Sequence, residues 1–326
     1  MPQTVARAIG EIGEQPMLRR LLARGRPRRV DANPTDALVG QLLGAAAPGA
    51  AGPIAAGLLD DRTGYWSLAG GCHLIADRDR LMVQAGPAQR LTRAEADAIS
   101  TSFNAAFSED GWQLHAVAGQ LLLQSAHPLP ASPVPLHELS GHYLDDHLPG
   151  GAEARSWRAL LNELQMLLFE HPVNQAREEQ GMPPINGLWF WGCGEAIDQL
   201  PRVADCIAAD HGVLRGLARL SGAHTMSPVE RLSQLDPGRG DAVAHWAGTA
   251  DALAVGDATE WLSALARFEQ CWAQEILAAL DNGSWSTLRL HVAPGRYWRV
   301  RRNDLRCFWR RVRPLRRYVT TVSEGA

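Results

Sequence analysis

The most informative part of the sequence runs from Leu161 to Gly194 and reads LNELQMLLFEHPVNQAREEQGMPPINGLWFWGCG. An amphipathic pattern ends at His171-Pro172, a polar segment follows, and a short apolar run begins at Gly187. Because helical spacing gives way to an apolar run bounded by glycine, the stretch predicts a helix, a loop and a buried strand. This succession is typical of an α/β protein.

The helix before the loop, residues 156–169, carries one apolar stripe. Its members recur at helical spacing and are Trp157, Leu160, Leu161, Leu164, Leu167 and Leu168. A stripe of this width on a helix packs against a core. We therefore expect the tryptophan and the leucines to be buried.

The loop and the strand carry groups that suit anions. Arg177 offers a planar fork for phosphate or carboxylate, and Asn174 and Asn186 can each donate and accept hydrogen bonds. Gly192 and Gly194 would let a ligand approach the backbone closely. Loop ends beside a sheet are where ligands gather in α/β proteins. The sequence therefore predicts that Asn174, Arg177 and Asn186 converge on one pocket.

Structural roles explain the same residues equally well. Asn174 suits the N-cap of a helix that starts just after it. Arg177 suits a surface ion pair with Glu178 or Glu163, and the strand tryptophans suit a core. Residue chemistry alone leaves ligand binding and a structural role open.

The rest of the chain alternates helical and strand patterns. Helices are predicted over residues 15–25, 35–44, 91–107 and 261–280, and strands within residues 65–85, 112–124 and 287–292. Residues 45–57 are predicted to form a loop. Thr92 followed by Glu95 is a capping box at the start of the third helix. The order of the elements predicts an α/β fold.

Composition indicates a globular protein. The chain has 326 residues, of which 46% are hydrophobic and 21% charged. No apolar run approaches the roughly 18 residues of a membrane span, so no membrane association is expected. The five cysteines are scattered and form no CxxC pair, which argues against a disulfide framework or a zinc ribbon. We expect a cytoplasmic location.

Basic residues concentrate near the C-terminus. All 32 are arginine, and ten of them lie between Arg296 and Arg317. They are interleaved with Tyr297, Trp298, Phe308, Trp309 and Tyr318. Arginine with aromatics can bind single-stranded nucleic acid. The alternative is a terminal segment that docks by its aromatics and exposes its arginines, and the net charge of −3 favours this alternative over nucleic-acid binding.

The stretch quoted above resembles archaeal-type, cofactor-independent phosphoglycerate mutases, which belong to the alkaline phosphatase superfamily. The resemblance is carried by His171-Pro172-Val173-Asn174, Arg177, Gly181, Asn186 and the run from Leu188 to Gly194. The same letters are more similar still to a bacterial group known as RpfE-type regulatory proteins. The resemblance implies a degenerate alkaline-phosphatase-like core made of residues 1–64 and 156–326. A smaller α/β subdomain, residues 65–155, would be inserted into it.

The resemblance also implies where chemistry would lie. The related enzymes use two divalent metals to clamp a phosphoryl group and to activate a serine. Weaker similarity places Thr35 at the nucleophile position, Asp251 at a metal-binding aspartate and His291 at a histidine of the site.

Departures from the enzyme pattern are extensive. The acidic residue expected before His291 is Leu290, and two expected histidines fall at Val255 and near Val300. The Asp-Gly metal loop of the enzymes has no counterpart in this sequence. What remains is Thr35, Asp36, Asp251 and His291, which is too sparse for a two-metal cage.

The hypothesis is therefore a phosphoglycerate-mutase-like pseudoenzyme with a regulatory role and a retained phosphate or carboxylate pocket. Its expected ligand is a small phosphorylated metabolite, and no cofactor is expected. One alternative is an active cofactor-independent mutase or phosphatase with rearranged ligands, which would need manganese or magnesium. The second alternative is a nucleic-acid binder that uses the arginine-rich C-terminus.

Overall fold

The computed structural model describes residues 15–30, 34–43, 51–117, 119–128, 134–148, 151–235, 240–293 and 296–319. The helices are α1 (Pro16–Arg24), α2 (Pro34–Leu43), α3 (Ala51–Ala56), α4 (Arg93–Phe107), α5 (Leu136–Leu139), α6 (Gly151–Phe169), α7 (Pro172–Glu179), α8 (Gly212–Ser221), α9 (Ala250–Val255), α10 (Ala258–Phe268), α11 (Gln274–Asn282), α12 (Arg302–Leu305) and α13 (Arg316–Val319). The strands are β1 (Arg26–Arg29), β2 (Tyr65–Asp77), β3 (Arg80–Gln84), β4 (Trp112–Val117), β5 (Gln120–Ser125), β6 (Gly187–Glu195), β7 (Cys206–Ala208), β8 (His224–Met226), β9 (Ala242–Ala244), β10 (Thr287–Ala293) and β11 (Arg296–Arg301).

The chain divides into two compact units. The larger unit is Pro48–Met226, and the smaller unit combines Met1–Ala47 with Ser227–Ala326. The predicted division, with an insert at residues 65–155, places its boundaries elsewhere. The physical reason is strand pairing. Strand β2 is the first element of the predicted insert, and β6 lies after the insert in the sequence, yet the two strands pair in one sheet and so belong to one compact unit.

The larger unit is built around the long strand β2. One edge of β2 pairs with β5 and then with β3, and the other edge pairs with β6. A hairpin between β5 and β4 completes this antiparallel sheet. The strands β7 and β8 pair in parallel. The predicted mixed α/β class is confirmed.

Helices α4 and α6 pack their apolar faces on this sheet. The predicted stripe of α6 is buried, with Trp157, Leu160, Leu164 and Leu168 at 7% exposure or less, while Leu167 is half-buried. Strand β6 is buried on both faces, since Phe190 joins this core and Trp189 joins a second one. Burial on both sides explains the uninterrupted apolar run in its sequence.

Two segments predicted as loops contain helices. Helix α7 begins at Pro172, and α3 lies within residues 45–57. Proline at the first helical position does not interrupt a helix, because the N–H it lacks has no intrahelical acceptor there. The capping box of α4 is present as predicted, with hydrogen bonds in both directions between Thr92 and Glu95.

The smaller unit contains a long helical segment and a sheet. α10 continues through a π-helical turn, Glu269–Ala273, into α11. The Glu269 carboxylate accepts hydrogen bonds from the backbone N–H groups of Met17 and Leu18, which have no acceptor within α1. Strands β1, β11 and β10 form an antiparallel sheet in that order.

One face of this sheet is apolar and the other is cationic. Trp298 and Val300 are buried and lie against Gly25 at the end of α1. On the opposite face Arg26 stands across from Arg299, and Arg299 stands across from Arg289. We call these three side chains the arginine row.

None of the described helices combines the length and the apolar character that a membrane span requires.

Candidate functional site

Helix α7 begins with His171 as its N-cap. The Nδ1 atom of His171 accepts a hydrogen bond from the backbone N–H of Val173 at 3.2 Å, and Nε2 lies 2.9 Å from the hydroxyl of Ser102. Burial lowers the pKa of His171. The ring is therefore neutral near pH 7, as an acceptor at Nδ1 requires.

Helix α7 ends at a left-handed glycine. Gly181 has a φ of 67°. Its N–H donates to the carbonyl of Glu178, and the N–H of Met182 donates to the carbonyl of Arg177. This pair of bonds is a Schellman motif. His171, Pro172 and Gly181, all part of the mutase-like pattern, thus set the ends of one helix.

Every N–H of the Arg177 guanidinium has a protein partner. Nε donates to Glu95 Oε1 at 2.7 Å. Nη2 donates to the carbonyl of Arg90 at 2.8 Å and to Glu95 Oε2 at 3.4 Å. Nη1 donates to the carbonyls of Ala88 at 2.8 Å and Pro183 at 3.1 Å. Arginine has five such donors, and all five are occupied.

Glu95 joins this guanidinium to the start of α4. Partial burial acts to raise the pKa of Glu95, but hydrogen bonds from Arg177 and Thr92 outweigh burial and hold the pKa below its ordinary value. The carboxylate is therefore ionised near neutral pH. The pair is a buried, charge-assisted hydrogen bond, with the Arg177 side chain only 2% exposed.

The two asparagines also bond to the protein. Asn174 Nδ2 donates to the carbonyls of Leu168 at 2.7 Å and Ile185 at 2.8 Å, and its Oδ1 accepts from the N–H of Ile185. Asn186 accepts from the N–H of Leu74 at 2.6 Å and donates to its carbonyl at 3.0 Å. Asn174 therefore fixes the segment after α7, and Asn186 joins that segment to β2.

The two glycines are likewise used by the fold. Gly192 has a φ of 66°, and a Cβ atom there would stand 2.9 Å from the Cβ of Ala51. The close approach that glycine permits is therefore to α3. Gly194 is paired with Trp66 in the ladder between β6 and β2.

The predicted pocket does not appear in these contacts. Asn174 and Arg177 surround the chain segment between α7 and β6 instead of an open cavity. The physical reason is that a buried guanidinium and buried amides must be hydrogen-bonded, and neighbouring backbone supplies their partners. Ligand binding by these five residues stays a prediction that the geometry does not support.

His291 lies on β10 in the smaller unit. Its ring stacks on Tyr297, with centroids 5.1 Å apart and planes 12° apart. Both ring nitrogens are enclosed and find no hydrogen-bond partner among the described residues. Burial, together with the charge of Arg289, lowers the pKa of His291 to about 4. The ring is therefore neutral near pH 7.

The remaining predicted site residues are spread through the smaller unit. Helix α2, which carries Thr35 and Asp36, packs against β10, although both side chains lie outside the described residues. Asp251 is exposed in the first turn of α9, which packs against α10. The structure thus brings the Thr35 helix beside the His291 strand.

The described residues do not fit a two-metal centre. Among them no group of three or more histidine, cysteine, aspartate or glutamate side chains is placed to hold a metal ion. Leu290 stands across from Trp298, and Val300 is fully buried on the same apolar face. Hard dications need several oxygen and nitrogen donors, which these side chains lack.

Sequence reasoning missed Glu95 as the partner of Arg177. The available signal was the capping box, which placed Glu95 at a helix start but gave no indication of a second partner far along the chain.

Comparisons with known proteins give partial similarity to one class of enzyme. No protein-family model matches the chain. A 2,3-bisphosphoglycerate-independent phosphoglycerate mutase of Methanothrix thermoacetophila is 34% identical over 88 residues, which cover 27% of this chain and 22% of the relative. A probable mutase of the same kind from Geobacter sulfurreducens is 29% identical over 134 residues, covering 40% of this chain and 33% of the relative. The matches therefore span a third or less of these relatives.

Two solved structures are similar at low identity. A protein from Pyrococcus horikoshii has a TM-score of 0.47 at 15% identity, covering 88% of this chain and 73% of that one. A cofactor-independent phosphoglycerate mutase from Thermoplasma acidophilum has a TM-score of 0.37 at 18% identity, covering 80% and 77%. The sequence comparisons show similarity to such mutases over part of the chain and at low identity. The resemblance to the RpfE-type group stays a prediction.

Proposed function

We propose that this protein is a non-catalytic relative of the cofactor-independent phosphoglycerate mutases with a regulatory role. The partial similarity to mutases supports the relationship. The regulatory role rests on the resemblance of residues 161–194 to RpfE-type proteins. Because the matches span a third or less of the relatives, their activity is not carried over with the similarity.

The observation that carries the proposal is the full occupancy of Arg177. The residues that resemble the enzyme motif have structural roles. They form the N-cap and the C-terminal end of α7, and they donate and accept hydrogen bonds with the backbone around that helix. A guanidinium whose five N–H groups all donate to protein atoms has no donor left for a phosphoryl group. The motif therefore supports a shared fold in this segment and lends no support to shared chemistry.

The surroundings of His291 support the same proposal. Phosphoryl transfer requires neutralisation of charge that spreads over the phosphoryl oxygens. Leu290 and Val300, at or near positions where the resemblance implies metal-binding groups, belong to an apolar sheet face. A threonine hydroxyl can act as a nucleophile, but without a nearby metal or base it stays protonated and weak.

The predicted phosphate or carboxylate pocket is not part of this proposal. Its three polar side chains have protein partners for the atoms that would bind a small phosphorylated metabolite. A ligand would have to replace those partners at the full cost of leaving buried groups unpaired.

A coupled mutase assay tests the proposal. Full-length protein is incubated with 3-phosphoglycerate in the presence of manganese or magnesium, and formation of 2-phosphoglycerate is followed. A Thr35→Ala variant is the matched control for contaminating enzyme. We expect the same background rate from both proteins with either metal.

Metal-dependent turnover by the natural protein that disappears in Thr35→Ala would overturn the proposal. It would establish the alternative of an active mutase with rearranged ligands.

A further inference from the structure

A concave surface of the smaller unit is lined almost entirely by arginine and aromatic residues. Its volume is about 440 Å³, and its lining consists of Ala23, Trp309, Arg310, Arg311, Arg313, Arg317 and Tyr318. We call it the arginine groove. Among the residues that the structure describes, none of those lining the groove is acidic. Such a surface attracts anions and repels cations.

The tail that forms the groove is held on α1 through its backbone. Arg24 donates to the carbonyls of Cys307 and Arg310, and Arg19 Nε donates to the carbonyl of Arg313 at 3.0 Å. Leu315 is the buried apolar anchor, 5% exposed. Because these contacts use backbone carbonyl groups of the tail, they leave the lining arginine side chains other than Arg310 available to other partners.

Three of the lining arginines have side chains that are available to a ligand. Arg311, Arg313 and Arg317 are exposed, and none of them forms an ion pair with a described residue. Arg310 differs, because it donates to the carbonyl of Arg24 and lies 3.7 Å from Asp304. The groove therefore offers three guanidinium groups without an ion-pair partner among the described residues, beside Arg310, whose side chain is held by the protein.

Aromatic side chains of the tail face solvent. Trp309 is 66% exposed and Phe308 is 80% exposed, with ring centroids 5.3 Å apart. Phe308 and Trp309 therefore depart from the expectation that the tail docks by its aromatics, whereas Trp298 is buried. Large exposed rings beside cationic side chains are suited to stacking with flat ligands.

The charge of the unit also differs from that of the chain. The smaller unit holds 21 of the 32 basic residues and 15 of the 35 acidic residues, a formal charge of +6 in a chain of net charge −3. The argument from net charge against an anionic polymer therefore does not apply to this unit. Local potential, not the total, governs the approach of a polyanion.

We propose that the arginine groove binds single-stranded nucleic acid. Phosphates of the strand would contact Arg311, Arg313 and Arg317, and a base would stack on Trp309. A small phosphorylated metabolite would engage the arginines but leave the indole unused, and a duplex has no unstacked base to offer. Single strands combine repeated phosphates with accessible flat faces, which this lining matches.

Fluorescence anisotropy of a labelled oligonucleotide tests the proposal. Its length is about 12 nucleotides, which lies within the usual range of site sizes for proteins that bind single strands. The full chain is titrated against oligo-dT, oligo-rU and a blunt duplex of the same length. We expect binding of the single strands in preference to the duplex. With three phosphate contacts, the slope of log K against log salt should be about −2.

Two variants and two controls assign the binding to the groove. Trp309→Ala should weaken binding about 5- to 150-fold, the range found for one stacked base. The double variant Arg311→Gln, Arg317→Gln should lower the magnitude of the salt slope by about 1.4. The matched controls are Phe169→Ala and Arg93→Ala, at exposed positions of the larger unit, which should bind as the natural protein does.

Circular dichroism checks that each variant is folded. Each variant is expected to fold, because the substituted side chains are exposed. Absence of oligonucleotide binding at low salt would overturn the proposal. So would equal affinity for the duplex with no loss in Trp309→Ala, which indicates polyanion attraction alone. Co-sedimentation with phosphatidylserine vesicles in the absence of oligonucleotide binding would overturn it in favour of a membrane surface. None of these results changes the expected outcome of the mutase assay.

Discussion

Arg177 illustrates how a residue of a motif can serve the fold alone. Its guanidinium links the end of α7, the chain before α4 and the carboxylate of Glu95. Removing one member of a buried ion pair leaves the other charge without compensation, and this usually costs more than the pair contributes.

We therefore expect Arg177→Met to lower the free energy of unfolding by about 3–5 kcal/mol. The double variant Arg177→Met, Glu95→Gln should lose less unfolding free energy than the sum of the two single variants. Each single variant leaves one buried charge unpaired, whereas the double variant leaves none. Urea unfolding at pH 7 measures both. Arg93→Ala, on the same helix as Glu95 but 93% exposed, is the control and should change little. An unchanged midpoint in Arg177→Met would contradict the structural role.

His291 gives a second expectation at this scale. Its pKa is about 4 in the folded protein and about 6.5 when unfolded, so the folded state favours the neutral ring. Its contribution to stability is present above pH 6.5 and is lost as pH falls through 4. His291→Phe keeps an aromatic ring against Tyr297 and removes the titration.

The difference in unfolding free energy between the natural protein and His291→Phe should therefore shift in favour of the variant between about pH 7 and pH 4. Denaturant titrations at three pH values measure the shift. His137→Phe, at a position that is 62% exposed, is the matched control for replacing a histidine by phenylalanine. A pH-independent difference for His291→Phe would refute the buried, neutral ring.

Among the elements, the sheet of β1, β11 and β10 carries an unusual row of like charges. Arg26, Arg299 and Arg289 stand directly across from one another on adjacent strands. Arg26 has Asp304 at 3.1 Å, whereas Arg289 and Arg299 have no ion-pair partner among the described residues. Like charges in directly opposed positions destabilise a sheet.

Arg289→Thr is expected to stabilise the protein by about 0.2–1 kcal/mol at low salt, since it removes one repulsion and adds a good strand former. The gain should shrink near 1 M salt, where the screening length is about 3 Å. Thermal unfolding at both salt concentrations measures the change. Destabilisation by Arg289→Thr at low salt would mean that the row is compensated by groups other than those described.

For the whole molecule, the two units differ in charge. The larger unit holds 11 basic and 20 acidic residues, so its formal charge is −9 against +6 for the smaller unit. A single net charge for the chain conceals this contrast. Surface charge therefore has to be assessed for each unit when partners are considered.

Local signals in the sequence were sufficient to predict several of the elements. The capping box at Thr92 and Glu95 placed the start of α4, and the leucine stripe of α6 gave its buried face. Both signals act over three or four residues, so short-range hydrogen bonds and helical periodicity are sufficient to read them. The loop predicted after His171 was wrong because a proline at the first helical position was taken as a stop.

The roles of the polar residues depend on contacts between distant parts of the chain. Arg177 meets Glu95 across 82 positions of sequence, and Asn186 meets Leu74 across 112. Pairing of β6 with β2 likewise set the compact units, and backbone docking of the tail left Trp309 exposed. Residue chemistry fixes what a side chain can bind, but burial and distant backbone fix what it does bind, and neither is encoded in local pattern.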